Sequence, residues 1–160
     1  MVNFRDVGIF QCFTEAEMSQ IKNLGKAQAF APNTNIVIEG ELSGGLYMVL
    51  EGTLGVYKTH KPSATLLEVG HLKAGEFFGE ISLLDQNPRA ATVKTLTKAH
   101  LFCIPREAFL GWVDRDSKLK IKFLESCLRD FILRLKKLDE DYVQNQYQLW
   151  KSSLRKRETA

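Results

Sequence analysis

FFGEISLLDQNPRAATVKT, residues 77–95, sets one acid, Glu80, nine positions ahead of one base, Arg89, between apolar runs and among small residues. Gly79 lets the backbone approach a neighbour or a ligand closely. A short helical turn through Ile81, Ser82, Leu83 and Leu84 would leave its first amides unpaired and open to an anion. Ala90 and Ala91 are small enough to keep further amides accessible. Arg89 carries a planar fork of donors matched to two phosphate oxygens, and the Glu80 carboxylate only accepts hydrogen bonds, as a sugar hydroxyl requires. Two readings stand at this point: a site for a phosphate joined to a sugar, or a simple Glu80–Arg89 ion pair.

Outward from this stretch the chain reads as short runs of branched and aromatic residues, NIVIE, GLYMVLEG, TLGVYK, TLLEVGHL, AATVKTL and AHLFCI. Gly, Pro, Asn or Ser interrupts them every eight to twelve residues, the spacing of an antiparallel β-barrel or roll. Ahead of them Thr14-Glu15-Ala16-Glu17 has the form of a capping box, with Met18, Ile21 and Leu24 on one helical face and Gly25 as the stop. Behind them Pro105 suits the first turn of a helix, REAFLGWV, whose Phe109, Trp112 and Val113 can pack on the barrel. The fold class is mainly β with flanking helices, α+β.

After a break at Asp114 to Ser117, neither proline nor glycine interrupts a helix from about Lys118 to about Arg157. With Ile121 as an a position, the a/d series is Ile121, Leu124, Leu128, Phe131, Leu135, Leu138, Tyr142, Asn145 and Leu149. A helix of about 40 residues extends roughly 60 Å, longer than a domain of this size is wide. The expected partner is a second copy in a parallel homodimeric coiled coil, with Asn145 fixing the register; a helix that folds back or frays after Leu138 is the alternative. The division expected is 1–117 for the β-roll with its helices and 118–160 for the long helix and basic tail.

Composition limits the function classes. Of 160 residues 44% are hydrophobic and 26% charged, and 22 basic against 19 acidic side chains leave +3, too little to argue for nucleic acid. Lys151, Arg155, Lys156 and Arg157 crowd the end, as expected of a solvated terminus. Cys12, Cys103 and Cys127 lie far apart in apolar patterns, which suits buried thiols in a reducing, cytoplasmic setting. No signal peptide or membrane span is expected, and His60, His71 and His100 lack the spacing of metal ligands.

FGEISLL followed by PRAATV resembles, ungapped from Phe78 to Val93, the phosphate-binding cassette of the cyclic-nucleotide-binding domain family. That family includes the regulatory subunits of cyclic-AMP-dependent kinase, gated channels and the bacterial catabolite activator protein. IVIEGELSGGLYMVLEGTLGVY is similar to its second to fourth strands, FTEAEMSQI to its N-terminal helix, and the last two helices to its B and C helices. The resemblance implies a cyclic-nucleotide sensor in which Glu80 holds the ribose 2′-hydroxyl beside the Gly79 amide. It assigns the cyclic phosphate to Arg89, assisted by the Ser82 and Ala90 amides, with Ile81 and Ala91 completing the site. Members preferring cyclic GMP tend to carry Thr or Ser after the arginine; Ala90 stands there, so cyclic AMP is favoured. Arg134 and Leu135 match the part of the C helix that covers the base, or else serve as heptad flank and seam. The family's Gly-Asp-x-Gly-Asp turn is replaced by Gly40-Glu41-Leu42-Ser43-Gly44-Gly45, a change expected to concern the turn and not the pocket, and Asn33 stands for a turn glycine. The remaining expectations are no catalysis, no metal or cofactor, no DNA-binding domain, and transmission through the dimer or an unidentified partner protein. A nucleotide-free interaction module of the same fold is the other reading.

Overall fold

The computed structural model describes residues 7–42, 44–85 and 87–158, with side chains described as far as Leu154. Ser43 and the side chains of Arg155, Lys156 and Arg157 therefore lie outside the described residues. Two compact units divide after Ser126.

In the first unit a 3-10 turn, Gly8–Phe10, leads into helix α1, Glu15–Leu24. Its capping box is formed as expected: the Thr14 amide donates to Glu17 Oε2 at 2.6 Å and the Glu17 amide to Thr14 Oγ1 at 3.3 Å. Among the described residues eight strands follow, β1 Lys26–Phe30, β2 Asn35–Val37, β3 Gly45–Glu51, β4 Thr53–His60, β5 Thr65–Lys73, β6 Phe77–Phe78, β7 Thr92–Thr95 and β8 Ala99–Pro105. They make two antiparallel four-stranded sheets, ordered β1-β8-β3-β6 and β2-β7-β4-β5. This is the β-roll expected from the spacing of turns.

Two of the strands were not legible. KAQAF has weak strand formers and becomes β1 by pairing its whole length with β8, from Lys26↔Cys103 to Phe30↔Ala99. The two-residue β6 is too short to show a period. Gly25 ends α1 as expected, but for a packing reason: its φ of −133° is open to any residue, whereas an added Cβ would lie 2.4 Å from the Cys103 carbonyl oxygen. Asn33 does take the left-handed conformation of the glycine it replaces, at φ 62°.

Alternation along the strands makes two apolar layers. Val37, Val49, Leu54, Leu72, Phe78, Val93, Ala99 and Leu101 fill the space between the sheets. On the other side, α1, helix α3 (Arg106–Val113) and the first turns of helix α4 (Ser117–Glu158) bring Phe10, Phe13, Trp112, Phe109 and Phe123 into a chain of ring contacts. Trp112 Nε1 donates to Gln20 Oε1 at 2.6 Å, and Lys122 Nζ pairs with Glu17 Oε1 at 2.7 Å, tying α3 and α4 to α1. Of the three cysteines only Cys127 is fully buried; Cys12 and Cys103 are half-buried.

The second unit is the rest of α4, unbroken to Glu158 as expected from the lack of proline and glycine. Leu128, Leu135, Leu138, Tyr142 and Leu149 of the heptad row are all exposed. A second row at spacing four-three-four, Val143, Tyr147, Trp150 and Leu154, lies about 120° round the helix from the first, at 100° per residue. Among the described residues no helix is long and apolar enough to cross a membrane.

Candidate functional site

The cassette crosses from one sheet to the other. Tyr47↔Phe78 pairing of β3 with β6 sets its entrance, and β7, pinned between β2 and β4, sets its exit. Between them helix α2, Glu80–Asp85, replaces the single turn expected at residues 81–84. The turn at Gly40-Glu41 holds the far end, the Gly40 amide donating to the Arg89 carbonyl at 2.9 Å and the Arg89 amide to the Glu41 carbonyl at 3.0 Å.

Glu80 and Arg89 are nearly out of solvent, with 1% and 4% of their surfaces exposed, and Ser82 is buried beside them. Arg89 Nη2 donates to the Gly45 carbonyl at 3.0 Å and Nη1 to Ser82 Oγ at 3.4 Å. Its Cζ stands 5.5 Å from the centre of the Tyr47 ring, which stacks on Phe78 at 4.9 Å and 8°. Burial lowers the Arg89 pKa, and the nearby Tyr47 hydroxyl and Glu80 carboxylate oppose that, so the guanidinium stays charged at neutral pH. Burial likewise raises the Tyr47 pKa, against the pull of Arg89.

Gly79 is the joint of the arrangement. At φ 97° it occupies backbone space that only glycine enters without strain, and a Cβ there would lie 2.3 Å from the Gly45 carbonyl and 2.7 Å from Arg89 Nη1. Of the remaining expected residues, Ile81 and Ala90 are exposed and Ala91 half-buried, all on the same cassette. Arg134 and Leu135 belong to the second unit, where Leu135 is exposed and Arg134 Nε bonds Asp130 Oδ2 at 2.6 Å.

Three residues of the seat escaped sequence reasoning. Gly45 supplies the carbonyl that orients Arg89, so the turn before β3 meets the seat through its backbone; a side chain at Gly44 would also come within 2.9 Å of Arg106 Cβ. Tyr47 forms the aromatic wall, a role visible only once it packs against the core between the sheets. Arg106 donates from Nε to the Ser82 carbonyl at 3.3 Å and from Nη2 to that of Leu83 at 3.5 Å, gripping α2. Its signal was a basic residue in the first turn of α3, a place the helix dipole disfavours. Behind this wall lies a cavity of about 400 Å³ bordered by Lys26, Gln28, Gly45, Tyr47 and Cys103. The Cys103 thiol is pushed up by burial to about 11 and is protonated at neutral pH. Among the described residues no group of three or more His, Cys, Asp or Glu is placed to hold a metal ion.

A buried guanidinium within reach of a buried carboxylate, on a glycine-hinged loop between two sheets, can hold a small anion that also offers a hydroxyl. The sequence model of the cyclic nucleotide-binding domain matches residues 27–116. A curated relative, the cAMP-dependent protein kinase regulatory subunit of Colletotrichum orbiculare, is 30% identical over 105 residues, covering 66% of this chain and 26% of that protein. The regulatory domain of Toxoplasma gondii PKA, in co-crystals with cAMP, is similar at a TM-score of 0.66 and 26% identity, covering 79% of this chain and 46% of that one. The catabolite activator protein of Thermus thermophilus is similar at 0.67 and 25%, covering 82% and 63%.

Proposed function

The chain belongs to the cyclic-nucleotide-binding domain family, and from that membership we propose that it binds one cyclic nucleotide, cyclic AMP in preference, in the seat made by Gly79, Glu80, Ser82 and Arg89. The observation that carries the reading is a carboxylate and a guanidinium at 1% and 4% exposure, close enough for the Glu80 charge to favour the charged Arg89, on the strand-to-helix joint at the left-handed Gly79. A buried ion pair is a poor source of stability, because desolvating both groups costs about as much as their attraction returns. A ligand that brings one negative charge and one hydroxyl gives both side chains a use.

A cyclic phosphodiester carries a single negative charge, which the Arg89 fork neutralises while Glu80 accepts from the ribose 2′-hydroxyl. The Ser82 and Ala90 amides assist at the phosphate, and Ile81 and Ala91 line the site. Ala90 has no hydroxyl to meet the guanine amino group, which favours adenine. Arg134 and Leu135 cover the base when α4 moves, and that movement reaches a second copy of the chain or a partner protein through the exposed heptad row. This is binding without catalysis and without a cofactor, in the reducing cytoplasm that three free cysteines suit. The relatives named as regulatory subunits and the similar structure holding cAMP support the ligand class. The matched relative is much longer than this chain, which spans 26% of it, so a role in controlling a kinase is a proposal for the whole protein and not for this domain.

Calorimetric titration with cyclic AMP and cyclic GMP tests the reading, on protein shown by mass spectrometry to carry no nucleotide. One site per chain with cyclic AMP bound more tightly is expected, and Arg89→Leu is expected to lower affinity about 100-fold, the value of two or so charge-assisted bonds. Absence of heat with either nucleotide would leave Glu80 and Arg89 a structural pair and make the chain a nucleotide-free interaction module.

A further inference from the structure

The exposed row on α4 is flanked by charges whose spacing selects an occupant. We propose that Arg134 pairs with Asp139 of a second copy of this chain, twice over, across a parallel and in-register seam. The proposal rests on the dimer reading given above and adds to it the residues that choose the partner and its direction. In the row itself Leu128, Leu135, Leu138, Tyr142 and Leu149 are between 57% and 63% exposed, an apolar stripe interrupted at Asn145 that water disfavours.

In a parallel two-stranded coil the g residue of one heptad faces the e residue of the following heptad on the partner, five positions on. With Leu128 and Leu135 as a positions, those pairings are Cys127 with Ile132, Arg134 with Asp139, Asp141 with Gln146, and Gln148 with Ser153. Among these pairings of the second unit one joins two charges, they are opposite, and none sets like charges together. Asn145 fixes the direction. In register it meets Asn145 of the second copy, amide to amide, whereas an antiparallel pair overlapping the same row sets it against the apolar stretch around Phe131, where its amide would be buried unsatisfied. A guanidinium has five donors, so the ion pair of Arg134 Nε with Asp130 Oδ2 is compatible with a second contact across the seam.

Sedimentation of the full chain at low salt tests the pair. The unsubstituted chain is expected to be a dimer. Arg134→Asp and Asp139→Arg, which set like charges face to face, are each expected to weaken it about tenfold, with helix content by circular dichroism unchanged. The double exchange R134D/D139R is expected to recover the parent affinity to within about threefold. Asp139→Arg is the cleaner single variant because it leaves the Asp130 bond intact. Direction is read separately: Asn145→Cys is expected to yield a disulfide-linked dimer on oxidation that the parent does not. Single exchanges without effect, a double exchange without recovery, or a dimer that Asn145→Cys fails to cross-link would overturn the pairing while leaving the dimer standing. A parent chain that is monomeric at every concentration would overturn the dimer reading along with it.

Discussion

At Gly79 three demands meet in one residue: a φ of 97°, a carbonyl 2.3 Å from where a Cβ would sit, and the Arg89 guanidinium 2.7 Å away. Gly79→Ala should therefore cost about 2 kcal/mol of stability from backbone strain. It should also displace Arg89 and lower cyclic AMP affinity by more than the stability loss alone explains. Denaturant titration beside calorimetry on the same preparation separates the two, and an alanine variant with unaltered affinity would show that the Gly79–Arg89 contact does not position the guanidinium. Cys103 gives a second prediction of this kind. Its thiol, held near 11 by burial, should resist alkylation at pH 8 in the folded protein and react only on unfolding. Of this seat, Gly79, Glu80, Ser82 and Arg89 were legible because they share one short stretch whose mixed chemistry has few other uses. Gly45, Tyr47 and Arg106 were not. Each reaches Arg89 or α2 through the pairing of β3 with β6 and β8, and the identity of a residue does not reveal the strand that will lie beside it.

Elements position the cassette, and two contacts between elements can be tested. Arg106 holds the Ser82 and Leu83 carbonyls of α2 at 3.3 and 3.5 Å, distances too long for strong bonds, so Arg106→Ala should weaken cyclic AMP binding only about threefold and leave the melting temperature nearly unchanged. A loss as large as that expected for Arg89→Leu would mean that Arg106 touches the ligand itself. Glu17 joins α1 to α4. Burial raises its carboxyl pKa, but the Lys122 ammonium and the Thr14 bonds outweigh that and hold it below the ordinary 4.5. A carboxylate depressed in the folded state adds stability that is complete above the unfolded value and disappears as pH falls through the folded one. Glu17→Gln keeps the capping box and removes only the charge. It should be less stable than the parent at pH 7, and the gap should close as pH falls below about 4.5; a gap that persists in acid would assign the effect to packing. At this scale the sequence showed what local chemistry decides, the capped α1, the branched strands and the unbroken α4. It hid β1, whose KAQAF becomes a strand only because β8 offers it a full edge.

For the whole molecule, two units imply two responses to heating. The candidate seat and the layered core, including Trp112, lie in residues 1–126, whereas residues 127–158 are a helix with an exposed row, which the dimer proposed above would cover. A ligand that binds only the folded first unit stabilises it by mass action, about 2.7 kcal/mol at 100 times its dissociation constant. At about 3 °C per kcal/mol for a chain of this size, that is a rise of roughly 8 °C. The helix responds to protein concentration instead, since a dimer loses its partner on dilution whatever occupies the other unit. Trp112, packed between Phe13 and Phe109, reports the first unit in the near ultraviolet, and the signal at 222 nm reports α4 most strongly. Cyclic AMP should therefore raise the near-ultraviolet transition by about the same amount at every protein concentration, while tenfold dilution should lower the 222 nm transition and leave the other in place. If the nucleotide also moves the 222 nm transition, its sign states the coupling: a fall means that the base draws Arg134 away from the seam, and a rise means that the closed seat and the dimer favour one arrangement of α4.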